Sequence, residues 1–250
     1  MELTNIGCLI TGSTGTLGGA IAMALARAGA DCVCHYHTRA DRAGQLAGDI
    51  VRLGRKAMVL QADLRSPEQI EELFEKASGF GPIQVLVNSA AVFGRRKLGE
   101  ITSQSIREIL DMNLAAPLLV SRAFVKKTAG QNGAMAKSIQ PRAKIINIAD
   151  IGGLHPWAEY AEYCASKAGL IAMTQSLAKE LAPVITVNAV APGVVTWPES
   201  LGEEHKQKAI SRIPLGRFAL PEEIAEAVVF LIRNDYITGQ VLQIDGGRAI

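Results

Sequence analysis

Tyr163 and Lys167 stand four residues apart in Glu162-Tyr163-Cys164-Ala165-Ser166-Lys167, and Asp150 lies thirteen residues before the tyrosine. On a helix, a spacing of four puts the phenol and the ammonium on one face, one turn apart. There the ammonium is expected to lower the phenol's pKa, so that it can give or take a proton near neutral pH. Together with a glycine-rich start, the pair points to hydride transfer coupled to proton transfer. Asp150 then bears on which bond is reduced.

The glycine-rich segment is Thr11-Gly12-Ser13-Thr14-Gly15-Thr16-Leu17-Gly18, between an apolar run and an Ala- and Leu-rich stretch. Glycines let the backbone turn sharply and approach a pyrophosphate, whose charge suits the start of the following helix. Cofactor choice is read at the end of the second strand, where an acid would hold the 2′-hydroxyl of NAD. This chain has Tyr36-His37-Thr38-Arg39 instead. His37, Thr38 and Arg39 can donate to a 2′-phosphate, so NADPH is the expected cofactor. The competing reading is a solvated basic turn. Asp63 and Leu64 fall where an adenine ring would rest, although Asp63 could equally cap a helix ahead of Pro67.

These residues need a scaffold, and the pattern supplies one. Short β-branched runs at Ile6–Thr11, Cys32–His37, Lys56–Gln61, Ile83–Asn88, Lys144–Ala149, Ile185–Val190 and Gln240–Ile244 read as strands. Helices are expected at Leu17–Ala28, Ala40–Leu53, from Pro67, Ser105–Thr128, Ala158–Leu181 and Pro221–Asn234. Seven strands alternating with helices imply a doubly wound parallel α/β sheet of Rossmann type, covered on both faces. With no repeat and no linker, residues 1–250 read as a single domain. Ala129–Pro141 reads as a polar loop of uncertain order, and Val194–Arg212 as a substrate loop beyond a strand's carboxyl end.

Composition sets bounds on this reading. The 250 residues are 48% hydrophobic, with a net charge of +2 spread along the chain, and the mean hydropathy is +0.18. Neither a nucleic acid nor an anionic membrane is an expected partner. No apolar run reaches the roughly 18 residues that span a bilayer. The N-terminus has no leader-like pattern, so a cytoplasmic protein acting on a small molecule is expected. Cys8, Cys32, Cys34 and Cys164 show no CxxC pairing. Cys32 and Cys34 with His35 and His37 loosely suggest a metal cluster, but buried thiols on a strand are the simpler reading. No metal is expected.

Taken together, these residues resemble the short-chain dehydrogenase/reductase family over essentially the whole chain. The marks are the Thr11–Gly18 loop, Asp63-Leu64, Asn88-Ser89-Ala90-Ala91, Asn113, Tyr163 with Lys167, Pro192-Gly193 and Asp245-Gly246-Gly247. The resemblance implies a homotetramer in which Tyr163 donates the proton, Lys167 holds the nicotinamide ribose, and Asn113 positions a water. It implies cofactor contacts from Gly12, Thr14, Thr16, Leu17, Gly18, Asn88, Ala90, Pro192, Gly193 and Val194.

One departure concerns the reaction itself. The family's serine, thirteen residues before its tyrosine, is here Asp150. An ionised carboxylate only accepts hydrogen bonds, so it opposes a forming alkoxide but favours a ring nitrogen gaining a proton. A protonated Asp150 would instead donate as serine does. A third possibility is an aspartate that merely caps a turn. An aspartate here resembles the pteridine and dihydromonapterin reductases, as do His35-Tyr36-His37 and Phe93, which matches their pterin-stacking aromatic. Phe93 read without the resemblance is a core residue. Against that likeness, Thr16 stands where those enzymes carry arginine, and Ala91 replaces a serine. Arg95 and Arg96 are the nearby candidate donors. His155 and Trp157 are expected to line the substrate pocket, or to anchor a loop. Pterin C=N reduction is the leading expectation. The alternatives are carbonyl reduction of the 3-oxoacyl-(acyl carrier protein) type, with a basic patch at Arg95, Arg96 and Lys97, and a non-catalytic binder of the cofactor.

Overall fold

The computed structural model describes residues 1–131, 142–197 and 202–250. Its strands are β1 (Gly7–Ile10), β2 (Asp31–Tyr36), β3 (Ala57–Gln61), β4 (Ile83–Asn88), β5 (Ala143–Ile148), β6 (Ile185–Pro192) and β7 (Val241–Ile244). They form one seven-stranded sheet in the order β3-β2-β1-β4-β5-β6-β7, with every pairing parallel. The order reverses between β1 and β4, and ligands of such sheets bind beyond the strands' carboxyl ends at that point.

The helices are α1 (Thr16–Arg27), α2 (Ala40–Arg52), α3 (Pro67–Ser78), α4 (Ser103–Leu110), α5 (Ala116–Gln131), α6 (Ala161–Leu181), α7 (Gly202–Ile210) and α8 (Pro221–Arg233). Alternation along the strands sends side chains to two cores. Cys8, Ile10, Cys34, Val87 and Ile146 meet Ile21 and Leu25 of α1 and Val228 and Leu231 of α8. Leu9, Val33, Leu86 and Ile145 meet Leu73 and Phe74 of α3 and Val120 and Phe124 of α5. Lys144 is the charged residue on β5, fully buried, with its ammonium donating to Asp235 at 2.7 Å and the Asn234 carbonyl at 3.0 Å. Among the described residues no helix is long and apolar enough to cross a membrane.

Three expectations change. The single helix over Ser105–Thr128 is two helices, joined by a π-helical turn at Asp111–Ala115. The extra residue in that turn rotates Asn113 into the interior, which a 3.6-residue pattern cannot foresee. The expected loop from Ala129 begins later, since α5 runs to Gln131; the rest of it lies outside the described residues. The substrate loop at 194–212 contains α7, and its residues 198–201 also lie outside.

Candidate active site

Asp150 follows β5 by two residues and opens a short turn at Ile151–Gly153. Its Oδ1 accepts from the Gly152 amide at 2.7 Å, and its Oδ2 from the Tyr163 hydroxyl at 2.9 Å. Asp150 thus caps a turn and engages the Tyr163 phenol, one oxygen for each. Tyr163 and Lys167, both buried, lie in the first two turns of α6. The Lys167 ammonium donates to the Ile148 carbonyl at 2.9 Å and lies 5.9 Å from the centre of the Tyr163 ring.

The electrostatics reverse one expectation. Burial, then the Asp150 charge and its hydrogen bond, push the Tyr163 phenol well above its ordinary value. Lys167 does not offset this, because its ammonium is spent on a strand carbonyl. Burial brings Lys167 down to about 8, opposed by Asp150. Burial also raises the Asp150 carboxyl above its ordinary value, against the bonds from Gly152 and Tyr163 and the charges of Lys167 and Arg248.

Asn113 is buried, and its side chain is engaged on both sides. Its Oδ1 accepts from the Val92 amide at 2.8 Å, and its Nδ2 donates to the Val92 carbonyl at 2.9 Å and to Ser166 at 3.1 Å. The side chain therefore clamps the segment after β4 to α6. Arg95 and Arg96 extend that clamp. Arg95 pairs with Glu159, the Arg96 amide donates to the Glu159 carbonyl, and the Arg96 guanidinium pairs with buried Glu162. Ser105 donates to the same carboxylate at 2.9 Å. Both arginines are thus held in ion pairs, Arg95 at the surface and Arg96 partly buried. Between these tethers Phe93 is 60% exposed, edge-on to the Tyr163 ring at 4.8 Å and tilted against Tyr160 at 5.2 Å. It is not a core residue.

At the other end, the glycine loop is built around His35. The Gly12 amide donates to His35 Nδ1 at 3.1 Å, and His35 Nε2 donates to the Ala62 carbonyl at 3.0 Å. Burial pushes His35 down to about 4, which keeps Nδ1 an acceptor. Gly12 has φ +64°, and a Cβ on Gly18 would sit 2.3 Å from the Gly12 carbonyl oxygen. Gly15 starts α1 with no side-chain cap, and no acid lies in the first turn. The amides of Thr16, Leu17 and Gly18 are therefore available to an anion, which suits a pyrophosphate.

Thr14 is buried beneath this loop and Thr16 is exposed beside it. His37, Thr38 and Arg39 are exposed at the end of β2, and Arg39 makes no ion pair within 4 Å among the described residues. Asp63 carries a bidentate pair with Arg65 and lies 3.9 Å from His37, while Ser66 caps α3. The Leu64 side chain packs into the core.

The Asn88 side chain also faces inward, donating to Ser121 at 3.1 Å and Asn147 at 2.9 Å. Asn147 in turn donates to Thr174 of α6 at 2.9 Å, so this polar ladder ties the sheet to the helix carrying Tyr163. Ala90 packs beneath Gly12, where an added Cβ would meet its Cα at 2.7 Å. Pro192 and Gly193 end β6 against Asp245, and the Val194 carbonyl accepts from Ala219.

His155 is exposed. Trp157 lies against Gly152, edge-on to Tyr160 at 5.6 Å, with the Arg248 guanidinium 5.5 Å above its ring. Sequence reading missed His35 as the support of the loop, Glu162 as the anchor of Arg96, and Arg248. A histidine amid apolar residues on β2 was the one available signal.

This fold and site define a nucleotide-dependent oxidoreductase architecture, and comparison with known proteins agrees. The family described as enoyl-(acyl carrier protein) reductase matches residues 12–249. The chain is 37% identical to the 3-oxoacyl-[acyl-carrier-protein] reductase FabG of Aquifex aeolicus, over 96% of this chain and 95% of that protein. It is 34% identical to the protein of the same name from Thermotoga maritima, over the full length of both. Among solved structures, a blue fluorescent protein from a metagenomic library, in complex with NADPH, is 30% identical with TM-score 0.89 and full coverage of both chains. A doubly substituted short-chain dehydrogenase/reductase of Serratia marcescens is 27% identical with TM-score 0.90, again over both full chains. The chain belongs to the short-chain dehydrogenase/reductase family. The names of these relatives correspond to the carbonyl-reductase alternative rather than to the pterin group.

Proposed function

We propose that this chain is an NADPH-dependent reductase of 3-oxoacyl thioesters, with Tyr163 giving the proton to the forming alkoxide. The observation that carries the reading is the Tyr163 hydroxyl held at 2.9 Å from Asp150, one helical turn from Lys167. It is supported by full-length relatives named for that reaction. When bound, the nicotinamide supplies the hydride, chemistry that no side chain offers. The open start of α1, with Gly12, Thr14, Thr16, Leu17 and Gly18, holds the pyrophosphate. His37, Thr38 and Arg39 hold the 2′-phosphate, with Asp63 at the adenine edge. Ala90, Pro192, Gly193, Val194 and the Lys167 ammonium border the nicotinamide half.

The keto carbon gains hydride, its oxygen gains the Tyr163 proton, and the C=O becomes a CH–OH. To reach Tyr163, the substrate oxygen must take over the hydrogen bond now accepted by Asp150. In its protonated form, toward which burial shifts it, Asp150 would then donate to that oxygen as a serine hydroxyl does. The clamp through Asn113, Arg96 and Glu162 keeps Phe93 beside the reacting group. Following NADPH oxidation with acetoacetyl thioester, dihydropterin and dihydrofolate side by side tests the reading. Fastest turnover of the thioester is expected.

A second reading, C=N reduction in a flat nitrogen heterocycle, is favoured by the Asp150 carboxyl itself and by the exposed Phe93 ring beside Tyr163. Faster turnover of a dihydropterin would put that reading in place of the first.

A further inference from the structure

Arg248 follows the Asp245-Gly246-Gly247 turn after β7, and its guanidinium lies over Trp157. Trp157 packs on Gly152, whose amide is bound to Asp150. Arg248 therefore stands at the reaction end of the site, one side chain beyond the catalytic turn. Its Nη1 is buried and has no hydrogen-bond partner.

The nearby carboxylates are already engaged. Asp245 accepts from the Gly247 and Ala249 amides, both at 2.9 Å. Asp150 accepts from Gly152 and Tyr163. Among the described residues Arg248 makes no ion pair. Burial and the Arg212 charge, from the end of the substrate segment, both disfavour its cation, while Asp150, Asp245 and Tyr160 favour it. A guanidinium N–H buried without an acceptor is unfavourable, so a ligand oxygen that displaces its covering and accepts from it is favoured. The Trp157 ring, 5.5 Å from the guanidinium carbon, bounds the fork on one side.

We propose that Arg248, seated on Trp157, is a specificity-determining residue that receives the C1 acyl oxygen of a 3-oxoacyl substrate. The chemistry it recognises is a planar acyl group, whether a thioester carbonyl or a free carboxylate. The fork meets a carboxylate with two parallel hydrogen bonds and a thioester with one. This inference rests on the 3-oxoacyl reading for its substrate but not for its binding site.

The test uses Arg248→Met and Arg248→Lys with three ketones: acetoacetyl thioester, acetoacetate, and 2-butanone, which lacks the acyl oxygen. Arg248→Met should raise KM for the first two by about 10-fold or more, with kcat changing less, and leave 2-butanone within about 2-fold. The larger loss identifies the thioester or the carboxylate as the natural group. Lysine should restore part of the loss for acetoacetate. Equal losses on all three ketones, unchanged KM on both acyl substrates, or a changed oligomeric state in Arg248→Met would overturn the assignment.

A second readout separates this proposal from the function it rests on. Titration of the NADPH-loaded protein with 3-hydroxybutyrate, followed by calorimetry, needs no turnover. If no 3-oxo substrate is reduced, binding that is lost in Arg248→Met still upholds the acyl-oxygen site. Absence of binding to the wild type would end it.

Discussion

The Tyr163 hydroxyl donates to Asp150 Oδ2 at 2.9 Å, while the Lys167 ammonium turns away to the Ile148 carbonyl. Burial and this neighbouring carboxyl thus keep the phenol protonated. Tyr163→Phe removes that proton and little volume. Turnover should fall by about 10²–10⁴-fold, as for loss of a general acid, with NADPH affinity nearly unchanged. Turnover at the wild-type rate would remove Tyr163 from the mechanism.

The Asp150 carboxyl titrates above its ordinary value because it is buried. Below that pKa it is neutral and can donate to a forming alkoxide; above it, its charge opposes the alkoxide. Thioester reduction should therefore decline as pH rises through this raised value. Asp150→Ser should abolish that limb, lower the Tyr163 pKa, and raise the rate near neutral pH by about 3–10-fold. A dihydropterin should show the opposite slope and lose activity with serine. A wild-type profile without a limb that Asp150→Ser removes would make the carboxyl incidental.

The scaffold was legible because a buried parallel sheet writes itself as β-branched runs separated by amphipathic stretches. Ile83–Asn88 is a strand over the very residues that its Val and Leu content marks. The tyrosine and lysine were legible because their relation is local, one helical turn. What escaped was long-range or dependent on a backbone irregularity. Arg96 and Glu162 are 66 residues apart and meet only because α6 starts beside the segment after β4. Asn113 faces inward only because the turn around it is π-helical. The Asp150 substitution was visible, but its protonation depends on burial, which no spacing reports.

That long-range pairing gives a prediction of its own. Arg96→Met leaves the Glu162 carboxylate buried with only Ser105 as a close side-chain donor. Stability should drop by roughly 2 kcal/mol, less than for a fully buried pair because Arg96 is partly exposed. Paired with Glu162→Gln, the double variant should recover part of the loss, and kcat should fall in the single variant as Phe93 loosens. Urea unfolding measures the first and steady-state kinetics the second. Strictly additive losses would mean that the two groups are not coupled.

Cofactor choice rests on the exposed end of β2. Arg39→Ala should weaken NADPH by about 10-fold or more and leave NADH within about 2-fold, because only the phosphate uses the guanidinium. Asp63 does not counter this, since Arg65 holds its carboxyl down at about 2 and pairs with it. Equal losses of the two cofactors in a binding titration would refute the phosphate assignment.

His35 ties the glycine loop to acid stability. Burial depresses its pKa to about 4, whereas an unfolded histidine titrates at 6.5. The sign follows directly: above pH 6.5 neither state binds the proton, and the contribution is complete. Between 6.5 and about 4 the unfolded state takes up a proton that the folded state refuses, so stability falls with the pH. Over the whole window the loss amounts to roughly 3 kcal/mol. Protonation also turns Nδ1 from an acceptor into a donor facing the Gly12 amide, which expels the loop from its position. NADPH affinity should therefore weaken alongside stability toward pH 4. His35→Gln keeps an acceptor without a titrating group, and its unfolding free energy should vary less over the same range. If wild type and variant lose stability in parallel between pH 6.5 and 4, the loop is not held by this imidazole.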